Sequence, residues 1–404
     1  MDMDSNNNIN KVNNEDGPLT LGNLFHQDLK NANILSNYPT SFVKDYRFLN
    51  DKKYRIFDIQ KGPKKNNPFL YLYPGRICSI AGNEFPILMD KAPVDELQAH
   101  WKRWLPEFPE PEFKTIDEGI EDEDPIITIF PMQRIPKEKH AIEPEMHYHI
   151  LLKSAIPETG APCPRHYTEE DVVFPCMVKV DQSLSGYGNF VAYNQEELAD
   201  SLEIVNEAYG KAAPYVITEF IQDVQETLGC QFYLNKKGDI HWLGTNVNLL
   251  KDYDWVGSVV DWDLRDYHKD RVYERFIKPV AEYLHKKGYF GIAGIDIITS
   301  SSGDYLVDMN ARLTGFTPHA LIAPVMARDG LTKSLFKSAD NQDCSTSELI
   351  KKVNKINEKS HGKIIILYSM DVDEGCIAAI VAFGETVEYV EGLFDCLALE
   401  KLVK

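Results

Sequence analysis

The chain has 404 residues, of which 43% are hydrophobic and 26% charged, enough apolar content to bury the cores of two or three ordinary globular domains. Its 62 acidic and 43 basic side chains leave a formal charge of −19, which disfavours non-specific attraction to nucleic acid or to an anionic membrane. Seven scattered cysteines with no Cys-x-x-Cys pair read as free thiols of a reducing compartment, and neither a signal-peptide pattern nor an apolar run of membrane-spanning length is present, so a cytoplasmic protein is expected.

Residues 1–17 are Asn-rich with almost nothing to bury, and read as a disordered leader. From 18 to 146, strand-like runs at 54–59, 69–73, 77–81 and 126–130 alternate with Pro- and Gly-rich punctuation, and a helix is predicted at 94–105 between Pro93 and Pro106. The acidic, proline-bearing stretch 106–124 reads as an exposed loop, and the whole region as a small α/β domain. A helical pattern begins near 147–152. After Gly160 comes an apolar strand at 172–181 that contains Lys179, then the loop 183–189, a strand at 190–193 and an acidic helix at 195–209, a compact unit able to move as a flap. Next come a strand at 215–221, a hairpin at 229–234 and 240–243, an acidic aromatic loop at 252–266, and an amphipathic helix at 271–287 ended by Gly288. The hairpin at 291–310 follows, then a helix at 318–327, a polar loop at 340–347, a helix at 347–356, and a tail from Lys363 whose alternating runs, including 386–390, predict a small antiparallel sheet.

Chemistry concentrates in four of these pieces. Asp296 and Asp308 each interrupt an apolar run, where an unpaired charge is costly. Asp308 and Asn310 share one strand face, and a paired neighbouring strand can bring Asp296 beside them. Two carboxylates and an amide make a hard-oxygen site suited to magnesium; the alternative is an ordinary solvated hairpin, which is how Asp304 reads. Lys179 either snorkels to the surface or presents its ammonium to a bound anion. Ser183, Ser185, Gly186 and Gly188 form a loop whose backbone amides can approach phosphate oxygens, or a plain flexible turn. Glu219, backed by Phe220 and Ile221, is either a hinge against an adenine ring or a strand-end acid reaching solvent.

In this order, VKVDQSLSGYGN, ITEFI, GIDII and YLVDMNARLTG resemble the motifs of the ATP-grasp superfamily, over residues 147–330. The resemblance implies an α+β fold: an ATP-grasp domain at 147–335 with a flap at about 165–215, preceded by an N-terminal α/β domain at 18–146 and followed by a small β-rich extension at 336–404. It implies that Lys179 contacts ATP phosphates, that Ser185, Gly186 and Gly188 close over them, and that Glu219, Phe220 and Ile221 hold adenine. Asp296, Asp308 and Asn310 fall on the family's metal positions for Mg2+, with Mn2+ as an alternative, and Arg312 on a position that supports the transferred phosphate or the acyl-phosphate. Glu226 falls near a ribose position, although ungapped counting puts Gln225 there. The family's second ATP lysine has no match in register, and Lys153 stands one helical turn later.

The implied activity is that of an ADP-forming carboxylate-amine ligase, with a small-molecule acid and an amine as partners, no nucleic acid or membrane partner, and a homodimer open. Phosphate transfer to a hydroxyl, or nucleotide binding without catalysis, are the alternatives. Arg76, Arg312, His319 and Arg328 are candidates to pair a substrate carboxylate, and Trp255 and Trp262 to meet a cationic group.

Overall fold

The computed structural model describes residues 17–40, 47–50, 53, 70–183, 188–209, 214–251 and 253–399. Most of the leader, the expected strand at 54–59, and Ser185 and Gly186 of the glycine loop lie outside the described residues. Among the described residues no helix is long and apolar enough to cross a membrane.

The N-terminal region builds a parallel sheet from β1 (Asn33–Leu35), β2 (Ile87–Leu88), β3 (Phe113–Lys114) and β4 (Ile126–Thr128), in the order β3-β2-β1-β4. The expected helix is present as Asp95–Trp104. Two expected strands are not: Leu72–Gly75 is a helical turn and Cys78–Ile80 a 3-10 turn. Both runs are short, and a short apolar run carries no periodicity that separates strand from helix. The stretch 106–124 is not a plain loop either. It holds β3 and a helix, Ile116–Glu121, whose first turn is closed by a reciprocal capping box between Thr115 and Glu118.

The flap is a second sheet, of β5 (His166–Tyr167), β6 (Cys176–Val180), β7 (Asn189–Ala192) and β8 (Tyr215–Glu219), ordered β5-β8-β6-β7 and antiparallel. The acidic helix Gln195–Tyr209 covers it, with Leu198 packed on Val178, Ala192 and Ile217.

The third and largest sheet is antiparallel throughout: β9 (Val224–Leu234), β10 (Ile240–Lys251), β11 (Asp254–Asp261), β12 (Gly291–Ser300), β13 (Gly303–Asn310), β14 (Lys333–Gln342), β15 (Lys363–Asp371) and β16 (Cys376–Gly384). Its order is β13-β12-β9-β10-β11-β14-β16-β15. The expected loop 252–266 therefore contains β11, the strand that joins the two halves of the sheet, and the start of the helix Arg265–Val272. The expected loop at 340–347 is strand as far as Gln342. The C-terminal strands do not form a sheet of their own but extend this one, and the expected boundary between 335 and 336 falls inside β14. Residues 386–390 are not a strand; they open the helix Val387–Leu399, which packs Val390, Leu393 and Phe394 under β16.

The N-terminal domain is fastened to this same sheet. Trp101, in the helix Asp95–Trp104, donates its indole N–H to the carbonyl of Ile366 on β15 at 2.7 Å and is buried in the C-terminal core. The junction between β11 and β14 has no spare room, because a Cβ on Gly257 would stand 2.0 Å from the carbonyl oxygen of Phe336. Gly257→Ala is accordingly expected to destabilise the chain by about 1–3 kcal/mol through overpacking, read as a lower denaturant midpoint at unchanged slope.

Candidate active site

The face of the large sheet between the flap and the N-terminal domain carries a cavity of about 240 Å³. Its charged lining consists of Lys153, Lys179, Arg312, Arg76, Asp296 and Asp308, four cations and two carboxylates in a chain whose net charge is −19.

Asp296 on β12 and Asp308 on β13 are paired directly across the two strands. Burial raises the Asp296 carboxyl well above the usual carboxylate range, and the neighbouring Asp308 charge raises it further. The Asn248 amide donates to Asp296 Oδ1 at 2.9 Å, which partly offsets both. Asn310 Nδ2 faces Asp296 Oδ2 at 3.4 Å, while Asn310 Oδ1 accepts from Arg312 Nη2 at 2.6 Å. The Asn310 amide oxygen, like the oxygens of Asp296, thus already accepts a hydrogen bond, and Asp308 accepts one from the Met309 backbone N–H at 3.1 Å. Two carboxylates in cross-strand register suit a divalent cation that completes its shell with phosphate oxygens and water. The exit of β13 that aims Asn310 and Arg312 is pinned from the N-terminal side: buried His147 hydrogen-bonds the carbonyl of Ala311 at 3.0 Å, and burial holds its imidazole down at about 4, hence neutral.

Just after Asp296 the register of β12 and β13 shifts, so that Asp296 faces Asp308 but Ile297 faces Leu306. The extra residue, Val307, turns its carbonyl to Lys179 Nζ at 3.2 Å. Burial pushes the Lys179 ammonium down to about 8; Asp308 and Asp296 oppose that shift, and Lys153 adds to it. Lys153, also buried, reaches the same cavity from a 3-10 segment, Lys153–Thr159, and donates to Ser183 Oγ at 3.0 Å. That segment is held to the end of β6 by Asp181, which accepts from the Ser154 backbone N–H and hydroxyl, both at 2.8 Å. The spacing that looked unlike the family's second lysine therefore still delivers an ammonium beside Lys179.

Several groups here lack a sequence signal. Asn246 and Asn248 alternate on one face of β10, and Asn248 Oδ1 accepts from both Asn246 Nδ2 at 2.7 Å and Trp255 Nε1 at 3.1 Å. A polar chain so runs from Trp255 through Asn248 to Asp296. Four buried polar atoms facing the cavity, Asn189 Oδ1, Gln231 Oε1, Asn246 Oδ1 and Arg312 Nε, have no partner among the described residues. Buried polar groups are rarely left so, and four around one hollow indicate a ligand site.

Other expected residues do not line this cavity. Glu219, Phe220 and Ile221 stand at the end of β8 beyond the cavity wall; the Glu219 backbone N–H bonds the carbonyl of Arg165 at 2.8 Å, and Phe220 meets the Tyr193 ring. Glu226 is turned away and paired with Arg271 at 3.4 Å, within a network that includes Asp304. Gly188 lies just outside, closing the β6–β7 hairpin with a positive φ of 76°. His319 is fully buried between Ser258 and Ser334, and Arg328 pairs with Glu107 at the surface. Trp262 packs under Arg265, whereas Trp255 and Arg76 do face the cavity.

Residues 164–310 match the family described as ATP-grasp_LDMS, L-aspartate--L-methionine ligase, ATP grasp. The chain carries an ATP-grasp domain. Among curated proteins, this ATP-grasp chain is 29% identical over 145 residues to a formate-dependent phosphoribosylglycinamide formyltransferase of Sulfurisphaera tokodaii, and 28% identical over 129 residues to a tyramine--L-glutamate ligase of Methanocaldococcus jannaschii. Those matches cover 35% and 32% of the chain and 36% and 37% of the relatives, so the likeness spans about a third of each. Among solved structures, an ADP complex of N5-carboxyaminoimidazole ribonucleotide synthetase has a TM-score of 0.52 at 11% identity, covering 81% of this chain and 94% of that one. A phosphoribosylamine--glycine ligase from Thermotoga maritima has a TM-score of 0.53 at 13% identity, covering 80% and 94%. At such identities the resemblance is one of fold, and it extends across the N-terminal region as well as the ATP-grasp domain.

Because Asn248 orients Asp296, its removal should be felt without any contact to substrate. Asn248→Ala is expected to weaken metal-dependent nucleotide binding by about 10–100-fold while leaving the melting transition within a few degrees, as measured by calorimetry and a thermal scan.

Proposed function

We propose that this chain is an ATP- and magnesium-dependent ligase that activates a small-molecule carboxylate and joins it to an amine, releasing ADP and phosphate. The observation that carries the reading is the convergence, in one buried cavity, of Lys153 and Lys179 from the flap side with Asp296, Asp308 and Arg312 from the sheet.

The roles follow from charge and position. Lys179 and Lys153 neutralise the nucleotide's phosphates, and the Val307 carbonyl is exchanged for a phosphate oxygen when Lys179 engages. Asp296 and Asp308 would hold the magnesium, which supplies Lewis-acid stabilisation of charge on the transferring phosphoryl group. An oxygen of the substrate carboxylate bonds to the γ-phosphorus as the bond to ADP breaks. Arg312, whose Nε is buried and unpartnered, holds the resulting acyl-phosphate. The amine nitrogen then bonds to the acyl carbon, phosphate departs with the C–O bonding pair, and the nitrogen gives up a proton. Positioning and electrostatics do this work, and no protein nucleophile is needed. Cys230, the thiol lining the cavity, is held up at about 12 by burial and stays protonated.

The match to a family described as an L-aspartate--L-methionine ligase, and to a tyramine--L-glutamate ligase, supports amino acids as the first acid substrates to test. The position of Lys153 beside Lys179 favours turnover over a nucleotide-binding module without catalysis. ADP release is expected only when an acid and an amine are both present; ADP formation with either alone, coupled to a phosphorylated hydroxyl, would transfer the assignment to a phosphotransferase. Asp308→Ala should lower ADP formation at least about a hundredfold in a protein with an unchanged circular dichroism spectrum. Calorimetry should show that magnesium strengthens ATP binding to the wild type and no longer does so in that variant.

A further inference from the structure

Arg76 comes from the N-terminal domain, is 4% exposed, and faces the cavity. Its Nε donates to the Tyr73 carbonyl at 3.4 Å and its Nη1 to Ser338 Oγ on β14 at 2.8 Å. A guanidinium has five N–H donors, so three remain unspent. No carboxylate of the described residues lies within ion-pair distance of it. A buried cation with no ion-pair partner among the described residues is costly, and this one lies against aromatic faces: its carbon lies 4.3 Å from the centre of the Tyr73 ring and 5.9 Å from that of Trp255.

Its place in the cavity separates it from the phosphate machinery. Lys179 is tied to β13, whereas Arg76 is tied to β14, five strand positions away in the order of the sheet. It is instead close to the turn that follows Arg312. A Cβ on Gly315 would stand 3.3 Å from Arg76 Nη1 and 2.5 Å from the Trp255 ring, so that turn is kept bare to let the two side chains approach. Arg312 is at the reacting end of this turn, Arg76 is at its far end, and Trp255 forms the wall beside it.

We propose that Arg76, walled by Tyr73 and Trp255, is the docking point for a substrate carboxylate that is not consumed in the reaction. The inference rests on the ligase reading for the word substrate, and it makes Arg76 a specificity determinant. One guanidinium with donors to spare and flat aromatic walls matches the planar, singly charged carboxylate, whereas a phosphate dianion calls for further cations, and among the described residues none touches this spot. The carboxylate is supplied either by a second acid group on the activated substrate or by the amine substrate when that is itself an amino acid.

Calorimetry on the full chain with MgADP bound distinguishes the two sources. L-Aspartate is compared with its α-amide, L-methionine with L-methioninamide, and inorganic phosphate is included. In the wild type at least one carboxylate should bind about tenfold or more tightly than its amide. That preference should vanish in Arg76→Gln and shrink in Arg76→Lys, with MgADP affinity unchanged in both as the check on folding. The aspartate arm responding alone assigns the carboxylate to the acid substrate, and the methionine arm alone to the amine. The proposal is overturned if no carboxylate is preferred over its amide, if the preference survives in Arg76→Gln, or if phosphate binds as tightly and is lost in the same variant. Should Arg76→Gln fail to bind MgADP, the Arg76→Lys comparison decides. ADP release is measured separately: turnover that is indifferent to Arg76 sinks this inference and leaves the ligase, and Arg76-dependent binding without turnover does the reverse.

Discussion

Two half-buried carboxylates, Asp296 and Asp308, are locked face to face in adjacent strands, and their repulsion is the condition the surrounding residues answer to. Nearby positive charge and hydrogen-bond donors offset that repulsion. Asn248 supplies a donor, Lys179 approaches through the bulge at Val307, and Arg312 reaches the same hollow after anchoring on Asn310. What these groups leave uncompensated is what a divalent cation and its phosphate ligands would complete. In a protein this acidic, the concentration of Lys153, Lys179 and Arg312 around two acids is itself an electrostatic trap for a polyanion.

The site is divided between two sheets with different supports. The large sheet carries the carboxylates, Arg312 and the asparagine chain, and the N-terminal domain is fastened to it through the Trp101 indole and a shared core. The flap carries Lys179 and is joined to the large sheet here by a single lysine-to-carbonyl bond. A neutral acceptor in that position holds the ammonium in place yet competes weakly with a phosphate oxygen, since hydrogen bonds between two charged groups are about twice as strong. The contact therefore keeps the cleft assembled without obstructing the nucleotide.

Much of this was legible in the chain because charge inside an apolar run is expensive and so stands out. Lys179, Asp296 and Asp308 were visible on that ground, and the helix Asp95–Trp104 through its flanking prolines. Asn246, Asn248 and Gln231 were not, because neutral amides alternating along a strand look the same whether they face water or a buried hollow. β11 was read as a loop because it sits in an acidic, aromatic segment, with an acid at each end and Gly257 within it, although its valines and Trp255 suit a strand that pairs on both sides. The tail's alternation marked β15 and β16 correctly, but periodicity says which residues are strand and never which edge they join. Glu226 was placed only by its count from the hinge, which ungapped favours Gln225, and such a count carries nothing about its partner in space, Arg271. Arg76 had no local pattern at all; Ser338, which positions it, is 262 residues away.

The continuity of the eight-stranded sheet has a metrical consequence. Asp296 on β12 and Ser338, the anchor of Arg76, on β14 belong to one hydrogen-bonded lattice, four strand steps apart in its order. Strand spacing is close to about 4.8 Å, so four steps set β12 and β14 roughly 19 Å apart measured across the sheet. The molecule thus contains a fixed gauge against which anything bridging the metal end and the arginine end is measured, and length joins charge as a criterion of admission.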